Sequence, residues 1–168
     1  MAVIHELPAV KAFLDLIAQS EGTSTNPVSK NQGYDVIVTG VSGPNTFTDY
    51  TKHPFADGRK PIVVRNSNPP LLSTASGRYQ FIVETWDQLA KDFQLPNFSS
   101  IEQDFAAVQI LKNCNAYDEI LTNNIQTAIW RVSHIWASFP GNLFGQNPHT
   151  ENFLLRTYAT ILDAQTKS

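Results

Sequence analysis

Apolar residues return at helical spacing near the start of the chain. Val10, Phe13, Leu14 and Ile17 follow the i, i+3, i+4, i+7 stripe of a core-facing helix. Pro8 suits the first turn and Gly22 suits the stop, so a helix is predicted over 8–21. One more turn along the stripe places Glu21 where another apolar residue is expected. Helical periodicity then disappears over 23–76. The alternating run "YDVIVT" (34–39) predicts a strand, "GVSGPN" (40–45) a turn, and "TFTDY" (46–50) the second strand of a hairpin. The proline-rich stretch 53–70 reads as a loop with a short extended piece at 62–64. Helical spacing resumes after Gly77, with Phe81, Ile82, Trp86 and Leu89 on one side of a helix over 78–93. "SSIEQDF" carries a capping-box pattern and opens a helix that runs to about Asn113. A short helical turn is predicted over 117–121, and helices over 124–138 and 150–164. The layout is α+β: a mainly helical lobe with a small antiparallel β-hairpin subdomain, about 23–76, inserted after the first helix of a single domain spanning 1–168.

The 168 residues suffice for a real core, and the net charge of −3 without basic runs argues against a nucleic-acid partner. The single cysteine, Cys114, excludes an internal disulfide and reads as a small core residue. No apolar run approaches the roughly 20 residues needed to span a bilayer. The N-terminus lacks the basic and apolar regions of a secretory leader, so the usual export route is not expected.

Glu21 is the residue with chemistry in it. At a helix C-terminus the free carbonyls form a negative pole, and on an apolar stripe burial strips water from the charged form. Both push the pKa upward, and a carboxyl that stays protonated is the instrument of general acid catalysis. The competing placement has the last turn rotated and Glu21 in solvent. The position of Glu21 at the seam between helix and β-insertion suggests a cleft for a long substrate. A raised-pKa acid there suggests glycosidic-bond cleavage, with loop aromatics available to pack against sugar rings.

Five stretches in order, "AFLDLIAQSEGT" (12–23), "NQGYDVIV" (31–38), "FTDYTKHP" (47–54), "LLSTASGRYQF" (71–81) and "IWASFPG" (135–141), resemble the phage lambda lysozyme family of endolysins. The resemblance implies a lysozyme-like fold and a lytic transglycosylase, which cuts the MurNAc–GlcNAc β-1,4 bond of peptidoglycan and leaves a 1,6-anhydro end. It implies Glu21 as acid and then base. It also implies glycan contacts from Gln32, Tyr34, Tyr50, Gly77, Arg78, Tyr79, Gln80, Trp136, Phe144 and Gln146. Core packing is the alternative for Tyr34 and Tyr50. Gln80 matches the glutamine of the Gly-x-x-Gln word, in "GRYQ" expected to open a helix. Relatives carry "GYGQ" where this chain has "LFGQ", so Phe144 keeps the ring and loses the hydroxyl. Gln32 replaces a histidine seen in relatives. The loops 52–70 and 139–148 resemble the family's mobile lips. The implied partner is the glycan strand, with no cofactor, no nucleic acid and no stable membrane insertion. The protein is expected to be a monomer made in the host cytoplasm, released through a holin to act on the cell wall.

A hydrolytic muramidase needs a second carboxylate at about 5 to 9.5 Å. The position nine residues after Glu21, where one phage lysozyme type carries Asp, is Lys30. Asp35, Asp49 and Asp57 remain in the β-region; Asp35 and Asp49 fall in the hairpin and are the candidates, with turn or strand-end hydrogen bonding as their alternative role. A non-catalytic glycan-binding tail module is the reading from another class. His5, His53, His134 and His149 are scattered without metal-ligand spacing, so no metal is expected. "GVSGP" is not a nucleophile elbow.

Overall fold

The computed structural model describes residues 1–141 and 149–167. Its elements are α1 (Pro8–Ser20), β1 (Val36–Gly40), β2 (Gly43–Thr46), β3 (Ile62–Arg65), β4 (Leu71–Ser73), α2 (Val83–Phe93), α3 (Ser100–Asn113), α4 (Ala116–Leu121), α5 (Ile125–Val132) and α6 (Glu151–Thr166). Six helices with two small antiparallel sheets make the α+β, lysozyme-like fold. The chain forms two compact units, Met1–Gly22 with Ala107–Ser168, and Thr23–Ala106.

In the first unit, α1 is buried on more than one stripe: Ala12, Leu16 and Ala18 are enclosed along with Val10, Phe13, Leu14 and Ile17. Phe13 sits at its centre, edge-on to Phe139 and to Tyr158 of α6, each at 6.2 Å. Trp136 closes on Phe139 at 6.1 Å. Helix α1 ends because Gly22 takes φ +71°, a left-handed value that favours glycine. Thr150 caps α6, its hydroxyl accepting from the Phe153 amide at 3.2 Å. Helix α5 stops at Val132, short of the predicted 138, where the Ser133 hydroxyl donates to the Trp130 carbonyl and a run of turns begins. Cys114 follows α3, half-buried and 4.0 Å from His134 Nε2, rather than lying inside a helix core.

In the second unit, β1 pairs with β2 in the register Val36↔Thr46 and Gly40↔Gly43, and β3 pairs with β4. The hairpin is present, but its second strand occupies half of the predicted turn. Residues past Thr46 leave the sheet because Phe47 turns inward onto Phe98, at 5.7 Å, and Asp49 caps its own turn through Thr51. Gly40 lies so close to Ile62 and Val63 that a Cβ there has no room. "GRYQ" does not open a helix. Ser76 and Phe81 bridge to each other, Gln80 takes φ +51°, and α2 begins only at Val83. Ile82 is therefore an exposed N-cap rather than a core residue.

Aromatic rings build this unit's core. Phe98 meets Trp86 at 4.5 Å and His53 at 4.8 Å, and Phe81 meets Trp86 at 5.7 Å. His53 is buried in this cluster. Its Nδ1 accepts from the Phe55 amide, which leaves Nε2 to donate to the Phe81 carbonyl at 2.9 Å. Both bonds together select the neutral Nε2–H tautomer, and burial lowers the pKa of the ring accordingly.

Candidate active site

Glu21 is the residue immediately after α1, still near helical geometry at φ −76° and ψ −4°, and its amide closes the last turn on the Ile17 carbonyl at 2.9 Å. The side chain is half-buried. Its Oε1 accepts from the Ser138 hydroxyl at 2.6 Å and faces the Ser138 amide at 3.4 Å. Among the described residues no group bonds Oε2. Burial raises the pKa of Glu21, and the two Ser138 contacts pull it partly back. The carboxyl is thus held at one oxygen, bonded by no described residue at the other, and biased toward its acid form.

Ser138 lies in the turn after α5, 117 residues further along the chain. Its hydroxyl also meets the buried Ser20 hydroxyl at 3.0 Å, and Ser20 donates to the Ile17 carbonyl at 2.9 Å. His149 supports the corner: its amide bonds the Ser138 carbonyl at 2.9 Å, its Nε2 lies 3.2 Å from the Ser20 carbonyl, and its ring stacks on Phe153 at 4.5 Å. Ser20, Ser138 and His149 were not singled out in the sequence. The seryl neighbour of a stripe carboxylate was the available signal for Ser20. Ser138 lies in "IWASFPG" (135–141), but nothing in that stretch ties it to Glu21, and no local pattern marks His149.

The residues expected to touch glycan separate into two groups. Tyr34, Arg78 and Tyr79 are buried in the second unit and present no face to a sugar. Both phenols bond the buried Asp104 carboxylate, at 2.8 Å from Tyr34 and 2.6 Å from Tyr79, and the Arg78 guanidinium lies over the Tyr34 ring. Burial first, and Asp104 second, hold the Tyr79 phenol well above its ordinary pKa, so it stays a donor. Gly77 is buried as well. A Cβ there collides with the Gln103 side chain and reaches Phe98 Cζ at 3.0 Å, so this glycine permits core packing rather than approach of a ligand. Trp136 is a core ring of the first unit.

The remaining candidates stay near the surface. Gln32 is exposed at φ +51°, and its carbonyl accepts from the Arg78 guanidinium. Gln80 is half-buried and folds back on the Gly77 carbonyl. Tyr50 is half-buried, accepts from the Asn31 amide at 2.9 Å and leans on Phe47 at 5.0 Å. Phe144 and Gln146 lie outside the described residues, as does part of the loop 139–148.

The two aspartates offered as a second carboxylate have local roles. Asp35 is buried and accepts from the Ser29 hydroxyl and the Lys30 amide. Asp49 is held below the usual carboxylate range by the hydroxyl and amide of Thr51. Among the described residues no group of three His, Cys, Asp or Glu side chains is placed to hold a metal ion, and no helix is long and apolar enough to cross a membrane.

Comparison with known proteins gives one consistent picture. A family model described as Endolysin matches residues 11–163. The endolysin of Escherichia phage P2 is 45% identical over 161 residues, covering 95% of this chain and 96% of the relative. The endolysin of Escherichia phage lambda is 42% identical over 149 residues, covering 88% and 87%. Among solved structures, bacteriophage lambda lysozyme complexed with a chitohexasaccharide matches with a TM-score of 0.83 at 38% identity, over 95% of this chain and 97% of that one. A second structure of lambda lysozyme matches with a TM-score of 0.78 at 37% identity and the same coverage.

Proposed function

The chain belongs to the endolysin family, and from that premise we propose that this cell-wall-degrading enzyme is a peptidoglycan lytic transglycosylase, with Glu21 as its only acid and base. The observation that carries the proposal is the state of that carboxyl: raised in pKa by burial, anchored at Oε1 and, among the described residues, unbonded at Oε2. In the first step Oε2 gives its proton to the bridging oxygen of the MurNAc–GlcNAc bond as the bond to C1 breaks. In the second, the same oxygen takes the proton of the C6 hydroxyl while that oxygen closes on C1. The carboxyl ends as it began, and no water is consumed. The local engagement of Asp35 and Asp49 favours this one-carboxyl route over a hydrolytic muramidase.

The ligand in the related lambda lysozyme structure is a chitin-type hexasaccharide. For this chain the corresponding ligand is the glycan strand, with Gln32, Tyr50 and Gln80, and then Phe144 and Gln146, as its contacts. We take residues 1–168 as a single catalytic domain, working as a monomer after holin-mediated release from the host cytoplasm.

Mass spectrometry of digested sacculi tests the chemistry. Anhydro ends, lighter by one water than reducing ends, are expected; reducing ends alone replace this mechanism with hydrolysis. Glu21→Gln is expected to abolish release of soluble fragments while the protein stays folded. Full release by that variant overturns the assignment of Glu21, and a protein that binds sacculi without releasing any fragment is a glycan-binding module instead.

A further inference from the structure

Four oxygens form a line into the protein from the candidate acid: Glu21 Oε1, Ser138 Oγ, Ser20 Oγ and the Ile17 carbonyl, separated by 2.6, 3.0 and 2.9 Å. Three contacts join them, and the two serines supply only two protons. Ser20 has a carbonyl to donate to within its own helix. The Ser138 proton therefore has two competing acceptors, Glu21 on one side and Ser20 on the other. With Glu21 ionised, the charge draws that proton to Oε1, since a hydrogen bond to an ionised acceptor is the stronger one. With the carboxyl protonated at Oε2, Oε1 becomes a neutral and weaker acceptor, and the Ser138 proton turns to Ser20.

We propose that Ser138 is the positioning residue of Glu21 and that Ser20 sets the direction of its single hydroxyl proton, so that the pair follows the carboxyl through both of its charge states. The inference deepens the proposed function and rests on it only for its catalytic meaning. An acid that must become a base within one turnover has to be stable in both forms at one place. A fixed donor, such as a lysine, favours only the anion. A hydroxyl with a second acceptor behind it serves either state by rotating about one bond, without moving a heavy atom. The carboxyl keeps its orientation while Oε2 exchanges protons with substrate.

Among the described residues, the surroundings leave this balance to the two serines. Glu21 is shifted by burial and by Ser138. His149 is the titratable group facing the corner from the segment before α6, and it addresses the Ser20 carbonyl rather than the carboxyl. The other ionisable side chains of α1, Lys11 and Asp15, lie more than a turn back, and Asp15 is bonded to Ala2 and Gln165.

The two serines make opposite predictions, which a merely structural role does not. Ser138→Ala removes the donor to the anion, so Glu21 titrates higher, by about one pH unit. Ser20→Ala removes the competing acceptor, so Ser138 donates to Glu21 throughout and the group titrates lower, by a smaller amount. Ser138→Thr keeps a hydroxyl and is expected to titrate as the wild type, and Ser138→Cys, a weak donor, substitutes should the alanine variant not fold. Carboxyl-carbon NMR of the full-length protein labelled with carbon-13 at glutamate side chains, with Glu21→Gln to assign the signal, reads these shifts without any substrate. Opposite displacements of the Ser138→Ala and Ser20→Ala signals support the relay; displacements of the same sign, or none, overturn it. The titration is independent of turnover, so a relay that holds while Glu21→Gln still cleaves sacculi condemns the proposed function alone. An inactive Glu21→Gln beside unmoved titrations condemns the relay alone.

Discussion

The burial that raises the pKa of Glu21 acts on stability as well as on proton transfer. A group with a folded pKa above its unfolded value contributes stability in full below the unfolded pKa, about 4.5 here, and loses it as pH rises through the folded pKa. At neutral pH the folded protein therefore carries a carboxyl whose ionisation works against it. Glu21→Gln is expected to melt at a higher temperature than the wild type at pH 7, with the difference shrinking toward pH 4, in calorimetric scans across that range. Equal melting temperatures at both pH values contradict the burial argument. The trade is a common one at reactive sites, where the residue that serves chemistry is a poor fit to its surroundings. Glu21 was legible in the sequence because it interrupts a helical stripe. Ser138 was legible only as part of "IWASFPG", because nothing local to a turn serine 117 residues away ties it to the carboxyl.

The helices α1, α3, α4 and α6 appear close to their predicted bounds. The misplacements fall where tertiary contacts outweigh local preference. Strand β2 slides into a turn-rich sequence because Phe47 is drawn onto Phe98, and 77–80 closes as a loop because Ser76 and Phe81 pair. Tyr34, Arg78 and Tyr79, which the resemblance implies as glycan contacts, are buried, and both phenols bond Asp104, a residue of α3 that sequence spacing does not bring near them. The loop before α2 gives a sharp test. Gly77 holds φ +77°, and an added Cβ strikes Gln103, whose side chain bonds the Arg78 amide and the carbonyls of Tyr34 and Phe98. Gly77→Ala is expected to cost about 2–4 kcal/mol in urea denaturation. A loss below about 0.5 kcal/mol, the scatter of ordinary surface changes, contradicts this packing.

At the scale of the whole chain, fold class was readable from the order of periodic and aperiodic stretches, and family from five stretches that keep their order. The division into Met1–Gly22 with Ala107–Ser168 and Thr23–Ala106 was not, because helix α3 runs through the boundary without any change of composition. The proposed chemistry passes through one carboxyl and the substrate's own hydroxyl, so incubation with a chelator is expected to leave the rate of sacculus clearance unchanged. Loss of activity that added zinc or magnesium restores contradicts that scheme. The three indoles divide between the two units: Trp86 is enclosed in the second, Trp136 is enclosed in the first, and Trp130 of the first is 49% exposed with its N–H bonded to Glu151 at 2.7 Å. Intrinsic emission thus comes from one wet and two dry fluorophores, and iodide quenches the wet one selectively. With Trp130 and Trp136 both replaced by phenylalanine, the surviving signal reports on Thr23–Ala106 alone, which gives the loosening of that half a spectroscopic clock of its own.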